Sequence, residues 1–247
     1  MSDDAIRIAM WSGPRNISTA MMRSFENRPD AIVVDEPFYG AYLAETGLNH
    51  PMREEILAAH ETDWQKIIDS LLAPLPAGRT VFYQKQMPHH MVVDIGDEWL
   101  DPLRHAFLIR SPEAVLASYS IKHAEVGLSD IGFVEQATMF ERIAERTGKA
   151  PPVILGRDVL ENPRAALTAL CGTLGIPFRE EMLAWPAGRR NTDGVWAAHW
   201  YGSVEASTGF APPMPEAGYD DLDDRLKAIA DEARPYFERL AAYRIQV

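Results

Sequence analysis

The sequence predicts a three-layer α/β/α fold, with a central, mainly parallel sheet of about five strands between two layers of helices. Five short, β-prone apolar runs carry that expectation, at residues 6–11, 31–35, 80–85, 105–110 and 153–157. Most are nearly continuous in apolar residues rather than alternating, as strands covered on both faces require. Helix-like segments lie between them, and strands alternating with helices imply right-handed crossovers between parallel neighbours.

Taken in order, the run at 6–11 leads into a helical segment over 18–27, and the run at 31–35 ends on Asp35-Glu36. A helical stretch over 54–72 precedes the third run, and another over 112–123 follows the fourth. Helices over 133–146 and 163–174 flank the fifth run, the second opening on Pro163, whose fixed φ suits a first helical position. Residues 189–219 differ, with glycines, three prolines, two tryptophans and no clear period. A stretch of that length is expected to pack over a ligand. A charged helical pattern over 220–242 closes the chain, and without repeats or linkers one domain over 1–247 is expected.

The 247 residues are 47% apolar and 24% charged, which excludes wholesale disorder. With 24 basic and 36 acidic residues the net charge is −12, which argues against nucleic acid or an anionic membrane as partner. A local basic pocket for a small anion stays open. The single cysteine, Cys171, excludes an intrachain disulfide and a multi-cysteine metal site, and suits a reducing compartment. His50, His60, His105, His123 and His199 are scattered without metal-ligand spacing, so no metal is expected. An acidic start and no apolar run near the roughly 20 residues of a membrane span point to a cytoplasmic protein.

Two segments concentrate polar chemistry. The first run ends in Trp11-Ser12-Gly13-Pro14-Arg15-Asn16-Ile17-Ser18-Thr19 at the start of a helix. A strand, a turn and a helix N-terminus gather N–H groups and the positive dipole end at one point, which suits an anion. Arg15 adds charge, and Ser18 and Thr19 add hydroxyls; an ordinary turn capped by Ser18 would read the same way. The full Walker pattern is absent, because Ser18 stands at the lysine position and Ile17 at the glycine. The fourth run ends in Ile109-Arg110-Ser111-Pro112, with Ser118-Tyr119 two helical turns later. Arg110 thus leaves the carboxyl end of a strand, where open α/β sheets bind ligands. Read alone, it is equally a surface arginine.

Together these segments resemble the nucleotide signatures of sulfotransferases that use 3′-phosphoadenosine 5′-phosphosulfate. Pro14-Arg15-Asn16-Ile17-Ser18-Thr19 is similar to the 5′-phosphosulfate loop P-K/R-S-G-T/S-T, and Arg110-Ser111-Pro112 through Ser118-Tyr119 to the segment that grips the 3′-phosphate. Gly156-Arg157-Asp158-Val159-Leu160-Glu161-Asn162-Pro163 and Leu174-Gly175-Ile176-Pro177-Phe178 resemble later family segments. Arg189-Arg190-Asn191-Thr192-Asp193-Gly194-Val195-Trp196 is similar to R-K-G-x-x-G-x-W, the loop that closes over the 3′-phosphate. The chain departs from the pattern at Ile17, where the family has a glycine free to take positive φ. It departs again at Glu113 for arginine, Asn191 for glycine and Ala197 for lysine.

The resemblance implies a P-loop-type domain that transfers a sulfuryl group to a hydroxyl or amine of a small molecule or carbohydrate, without a required metal. It implies donor contacts from Pro14, Arg15, Asn16, Ile17, Ser18, Thr19, Arg110, Ser118, Arg189, Arg190 and Gly194. Arg15 is the candidate for the departing oxygen, supported by Lys85 at the end of the third run. Met87 stands where many cytosolic members carry a catalytic histidine. The base is then Glu36, in the segment Asp35-Glu36-Pro37-Phe38 that resembles bacterial carbohydrate-type members, or His89 or His90. A strand-end carboxylate also serves as a helix cap. The aromatic run at 196–201 could stack an adenine, cover an acceptor or simply pack the loop. An ATP-dependent kinase-like phosphotransferase and a non-catalytic nucleotide-binding protein are the alternatives.

Overall fold

The computed structural model of the chain describes residues 5–121 and 125–247. Five parallel strands, β1 (Ile6–Ser12), β2 (Ala31–Asp35), β3 (Val81–Gln86), β4 (Leu103–Ile109) and β5 (Val153–Leu155), form one sheet in the order β2-β3-β1-β4-β5. The expected α/β architecture is therefore present, with all strands parallel. Along β1, Ile8 and Met10 enter one core with Met21, Phe25, Leu167 and Cys171. Ala9 and Trp11 enter the opposite core with Phe38, Ile67, Phe107 and Phe140. Both faces are dry, which explains the continuous apolar runs.

The helices are α1 (Ser18–Glu26), α2 (Tyr39–Thr46), α3 (Arg53–Ala59), α4 (Trp64–Leu72), α5 (Pro112–Ser120), α6 (Leu128–Ile131), α7 (Phe133–Thr147), α8 (Gly156–Glu161), α9 (Pro163–Thr173), α10 (Ala197–Trp200), α11 (Gly202–Glu205) and α12 (Asp224–Ala241). Several boundaries correct the sequence expectations. The stretch 54–72 is two helices, because Asp63 caps α4 by accepting from the N–H groups of Gln65 and Lys66. The fifth strand stops at Leu155, since Gly156 already opens α8. Helix α2 was not expected; its buried Tyr39, Ala41, Tyr42 and Leu43 give it a tertiary reason that its weak amphipathic pattern did not announce. Of the helix expected over 112–123, α5 accounts for the part to Ser120, while residues 122–124, His123 included, lie outside the described residues. The segment 189–219 holds the short helices α10 and α11 rather than being irregular throughout.

The chain leaves β1 for β2 on one side of the sheet and leaves β4 for β5 on the other. The carboxyl ends of β1 and β4, side by side in the register Ser12 to Leu108, thus flank a switch point where a crevice opens. The two polar segments singled out from the sequence begin there.

Candidate active site

The turn after β1 is locked from inside. Asn16 donates from Nδ2 to the Leu108 carbonyl at 3.2 Å and accepts from the Ile17 N–H at 2.8 Å through Oδ1. Gly156 permits this approach, because a Cβ there would sit 2.7 Å from Asn16 Oδ1. The turn takes its left-handed residue at Arg15, φ 55°, whereas Ile17 has φ −86°. The glycine position of the family's loop therefore makes no demand here that isoleucine cannot meet. The helix boundary falls at Ile17 rather than Ser18, and no side chain caps the first turn of α1. Its leading N–H groups are left to an external acceptor.

Arg15 Nε donates to the Ser118 hydroxyl at 3.0 Å, so the two separated segments meet directly. Arg110 Nη1 donates to the Arg15 carbonyl at 2.8 Å, and its Nε to Glu216 Oε1 at 2.7 Å. Burial first, and then the Arg110 charge, lower the pKa of Arg15 from its usual value. Two guanidiniums brought together under partial burial are eased by a shared anion.

These residues line a cavity of about 650 Å³. Its wall includes Pro14, Arg15, Asn16, Ile17, Ser18, Thr19, Arg110 and Ser118 on the anion side, and Glu36, Lys85, Met87, His89 and His90 farther along. Arg157, from the segment resembling the family's strand-to-helix passage, also lines it. Arg189, Arg190 and Gly194 do not line this cavity. Arg189 is exposed, and Arg190 points to the Pro186 carbonyl and to Glu26. Gly194 borders a second, smaller hollow with Asn191. Their loop is held instead against α1 by the buried pair Arg23 Nη2 to Asp193 Oδ2, 2.7 Å.

The β-sheet register sets Asp35 beside Lys85. The buried Lys85 ammonium donates to Asp35 Oδ1 at 2.8 Å, to the Tyr201 hydroxyl at 2.8 Å, and to Glu36 Oε1. These three acceptors match the three N–H donors of an ammonium. Tyr201 in turn donates to Asp35 Oδ2 at 2.7 Å and accepts from Trp196 Nε1 at 3.1 Å. Burial opposes the Lys85 charge, yet Asp35 and Glu36 outweigh it and hold its pKa well above the usual lysine value. Burial raises the Glu36 carboxyl above its ordinary range, against the pull of Lys85. Glu36 also takes a left-handed φ of 42°, a conformation uncommon for a residue with a Cβ. Lys85 therefore faces the carboxylates and Tyr201 rather than Arg15.

His90 Nε2 stands 3.9 Å from Glu36 Oε2, and its ring stacks against both Tyr39 and Tyr42, with centroids at 4.7 and 4.8 Å. Burial lowers His89 to about 4 and His90 well below the usual histidine value, so both are neutral near pH 7. Sequence reasoning named Glu36, Lys85, His89 and His90 but missed Asp35 and the hydroxyl of Tyr201. Asp35 had a signal in its place next to Glu36 at a strand end; Tyr201 had only its position in an aromatic run. That run both packs and borders the site: Trp196, Ala197 and Tyr201 are buried with Tyr39, Tyr42 and Ile56, and Trp196, Trp200 and Tyr201 also line the cavity. Ala197, where the family has lysine, is buried in the same cluster. Glu113, another departure, pairs with Arg234 at 2.6 Å on α12. Among the described residues, no three His, Cys, Asp or Glu side chains gather for a metal ion, and no helix is long and apolar enough to cross a membrane.

A family model described as a sulfotransferase domain matches residues 6–242. Branched-chain-amino-acid aminotransferase-like protein 2 of Arabidopsis thaliana is 34% identical over 226 residues, which is 89% of this chain and 40% of the relative. The chain therefore spans well under half the length of that relative. Among solved structures, a sulfotransferase from Alicyclobacillus acidocaldarius superposes with a TM-score of 0.55 at 14% identity, covering 96% of this chain and 94% of that one. The sulfotransferase domain from the curacin biosynthetic pathway gives 0.50 at 16%, covering 93% and 98%. Both show the same P-loop-like α/β fold. The chain belongs to the sulfotransferase domain family.

Proposed function

We propose that the enzyme moves a sulfuryl group from 3′-phosphoadenosine 5′-phosphosulfate to a hydroxyl or amine of a small-molecule or carbohydrate acceptor. The observation that carries this reading is the junction of Arg15, Ser118 and Arg110 over the uncapped N-terminus of α1. Two cations, the hydroxyls of Ser18, Thr19 and Ser118, and helix N–H groups suit a ligand with two separate anionic ends. A cavity of about 650 Å³ has room for a nucleotide and a modest acceptor.

In this reading Arg15 and the first turn of α1 hold the 5′-phosphosulfate and stabilise charge on the bridging oxygen as the sulfur–oxygen bond breaks. Glu36 takes the proton of the acceptor hydroxyl as its oxygen bonds to sulfur, and adenosine 3′,5′-bisphosphate leaves. Lys85 holds Glu36 by one carboxylate oxygen and leaves the other for the acceptor. Arg110 and Ser118 recognise the 3′-phosphate.

Thermal-shift titration with adenosine 3′,5′-bisphosphate, against ATP plus magnesium, tests the reading. At 100 times its dissociation constant the bisphosphate should stabilise the protein by about 2.7 kcal/mol. Stabilisation by ATP and magnesium alone would favour a phosphotransferase and overturn it.

A further inference from the structure

We infer that Glu216 sets the affinity and selectivity of the donor site, because its carboxylate competes with the nucleotide's 3′-phosphate for Arg110. The inference rests on the nucleotide reading above and adds to it a residue outside every segment that resembles the family.

Arg110 Nε donates to Glu216 Oε1 at 2.7 Å, with the two side chains 25% and 22% exposed. The partners are 106 residues apart, and both line the cavity. Glu216 is carried by a strap whose ends are fixed. At one end Gly209 forms an antiparallel bridge with Ala184, and the Trp185 N–H donates to the Thr208 carbonyl at 3.0 Å. At the other end the Gly218 N–H donates to Asp221 Oδ2 at 2.8 Å. Between them Pro212, Pro213 and Pro215 restrict φ and remove N–H donors, so the strap has few ways to rearrange. Residues 211–216 run along the cavity wall, and the carboxylate is delivered to the guanidinium at low conformational cost.

A carboxylate and a phosphate are alternative partners for one guanidinium edge. With Glu216 in place, Arg110 does not stand beside Arg15 as an unbalanced cation. A 3′-phosphate must then exchange with Glu216 rather than fill an open site, and its release is assisted when Glu216 returns. A nucleotide without a 3′-phosphate makes no claim on Arg110 and leaves the pair undisturbed. Glu216 therefore lowers affinity for the bisphosphate selectively.

Isothermal titration of the whole chain with adenosine 3′,5′-bisphosphate and with adenosine 5′-monophosphate separates these cases. Glu216→Gln should bind the bisphosphate about threefold to tenfold more tightly, the weight of a partly exposed ion pair. Its affinity for the monophosphate should stay within about twofold. Glu216→Ala should move in the same direction, which removes any role for the glutamine amide. Unchanged or weaker bisphosphate binding in both variants would overturn the competition, as would equal tightening for both nucleotides. If neither nucleotide binds the unsubstituted protein, the nucleotide reading itself fails and this inference fails with it.

Discussion

The guanidinium of Arg15 and the hydroxyl of Ser118 are 3.0 Å apart, so the turn after β1 and the helix after β4 form one binding surface rather than two. The direct bond between them means that a change in one segment should be felt by the other. The α1 end is expected to take the 5′ end of the donor, and Arg110 the 3′ end.

Arg110→Ala should therefore weaken adenosine 3′,5′-bisphosphate by roughly 10- to 150-fold, from the loss of a charge-assisted contact of about 1.5–3 kcal/mol. Adenosine 5′-monophosphate should bind almost unchanged. Equal losses for both would assign Arg110 to holding the Arg15 turn through the carbonyl it contacts.

Glu36→Gln keeps the size of the side chain and can still accept from Lys85, so the protein should fold and bind nucleotide normally. Turnover should fall by roughly 10²–10⁴, the usual weight of a positioned base. Single-turnover measurement, once an acceptor has been found by screening, checks this. Near-normal turnover would move the role to His89 or His90.

Lys85→Met should destabilise the fold severely. Lys85 and Asp35 are 2% and 1% exposed, so removing the cation leaves a buried carboxylate without its counter-charge. Breaking a buried pair from one side costs about 3–5 kcal/mol. Urea denaturation should show that loss, and the double variant Asp35→Asn with Lys85→Met should recover part of it.

Acid should weaken the fold through its buried histidines. His89 and His105 are lowered to about 4 by burial, so the unfolded chain binds more protons once pH drops below about 6.5. The stabilisation from keeping each ring neutral is fully present above that pH and is lost as pH falls toward 4. The slope is up to about 1.4 kcal/mol per pH unit for each histidine. For His105 the neutral tautomer is fixed: Nδ1 accepts from Trp11 Nε1 at 3.1 Å, and Nε2 then donates to the Leu100 carbonyl at 3.0 Å. Urea midpoints between pH 7 and 4.5 should decline less steeply in His105→Gln than in the unsubstituted protein, after allowing for the lower starting value.

The five strands were legible because their apolar runs are short, continuous and bounded by turn residues. The order of the strands was not, since it depends on which side of β1 each crossover returns. The same limit hid the role of Asp35. Only the β2–β3 register puts it opposite Lys85, and register is a property of two segments 50 residues apart. The gathering of a cation, hydroxyls and a helix end at the Arg15 turn was legible from its composition. Its left-handed residue was misplaced, because the demand for positive φ fell on Arg15 rather than Ile17. Glu216 lay in a stretch without a period, and nothing local ties a carboxylate there to an arginine after β4.

The hydroxyl of Tyr201 reaches Asp35 across 166 residues of chain. That separation has a consequence for biosynthesis. A nascent chain that has emerged only as far as β5 already carries Arg15, Glu36, Lys85 and Arg110. It does not yet carry the tyrosine that shares Lys85 with the two carboxylates. The cluster at the ends of β2 and β3 must wait, partly unsatisfied, until Tyr201 leaves the ribosome at about 5–20 residues per second. Loop closure over that distance is entropically slow to reward. The cluster at the ends of β2 and β3 is thus completed only after all five strands have emerged.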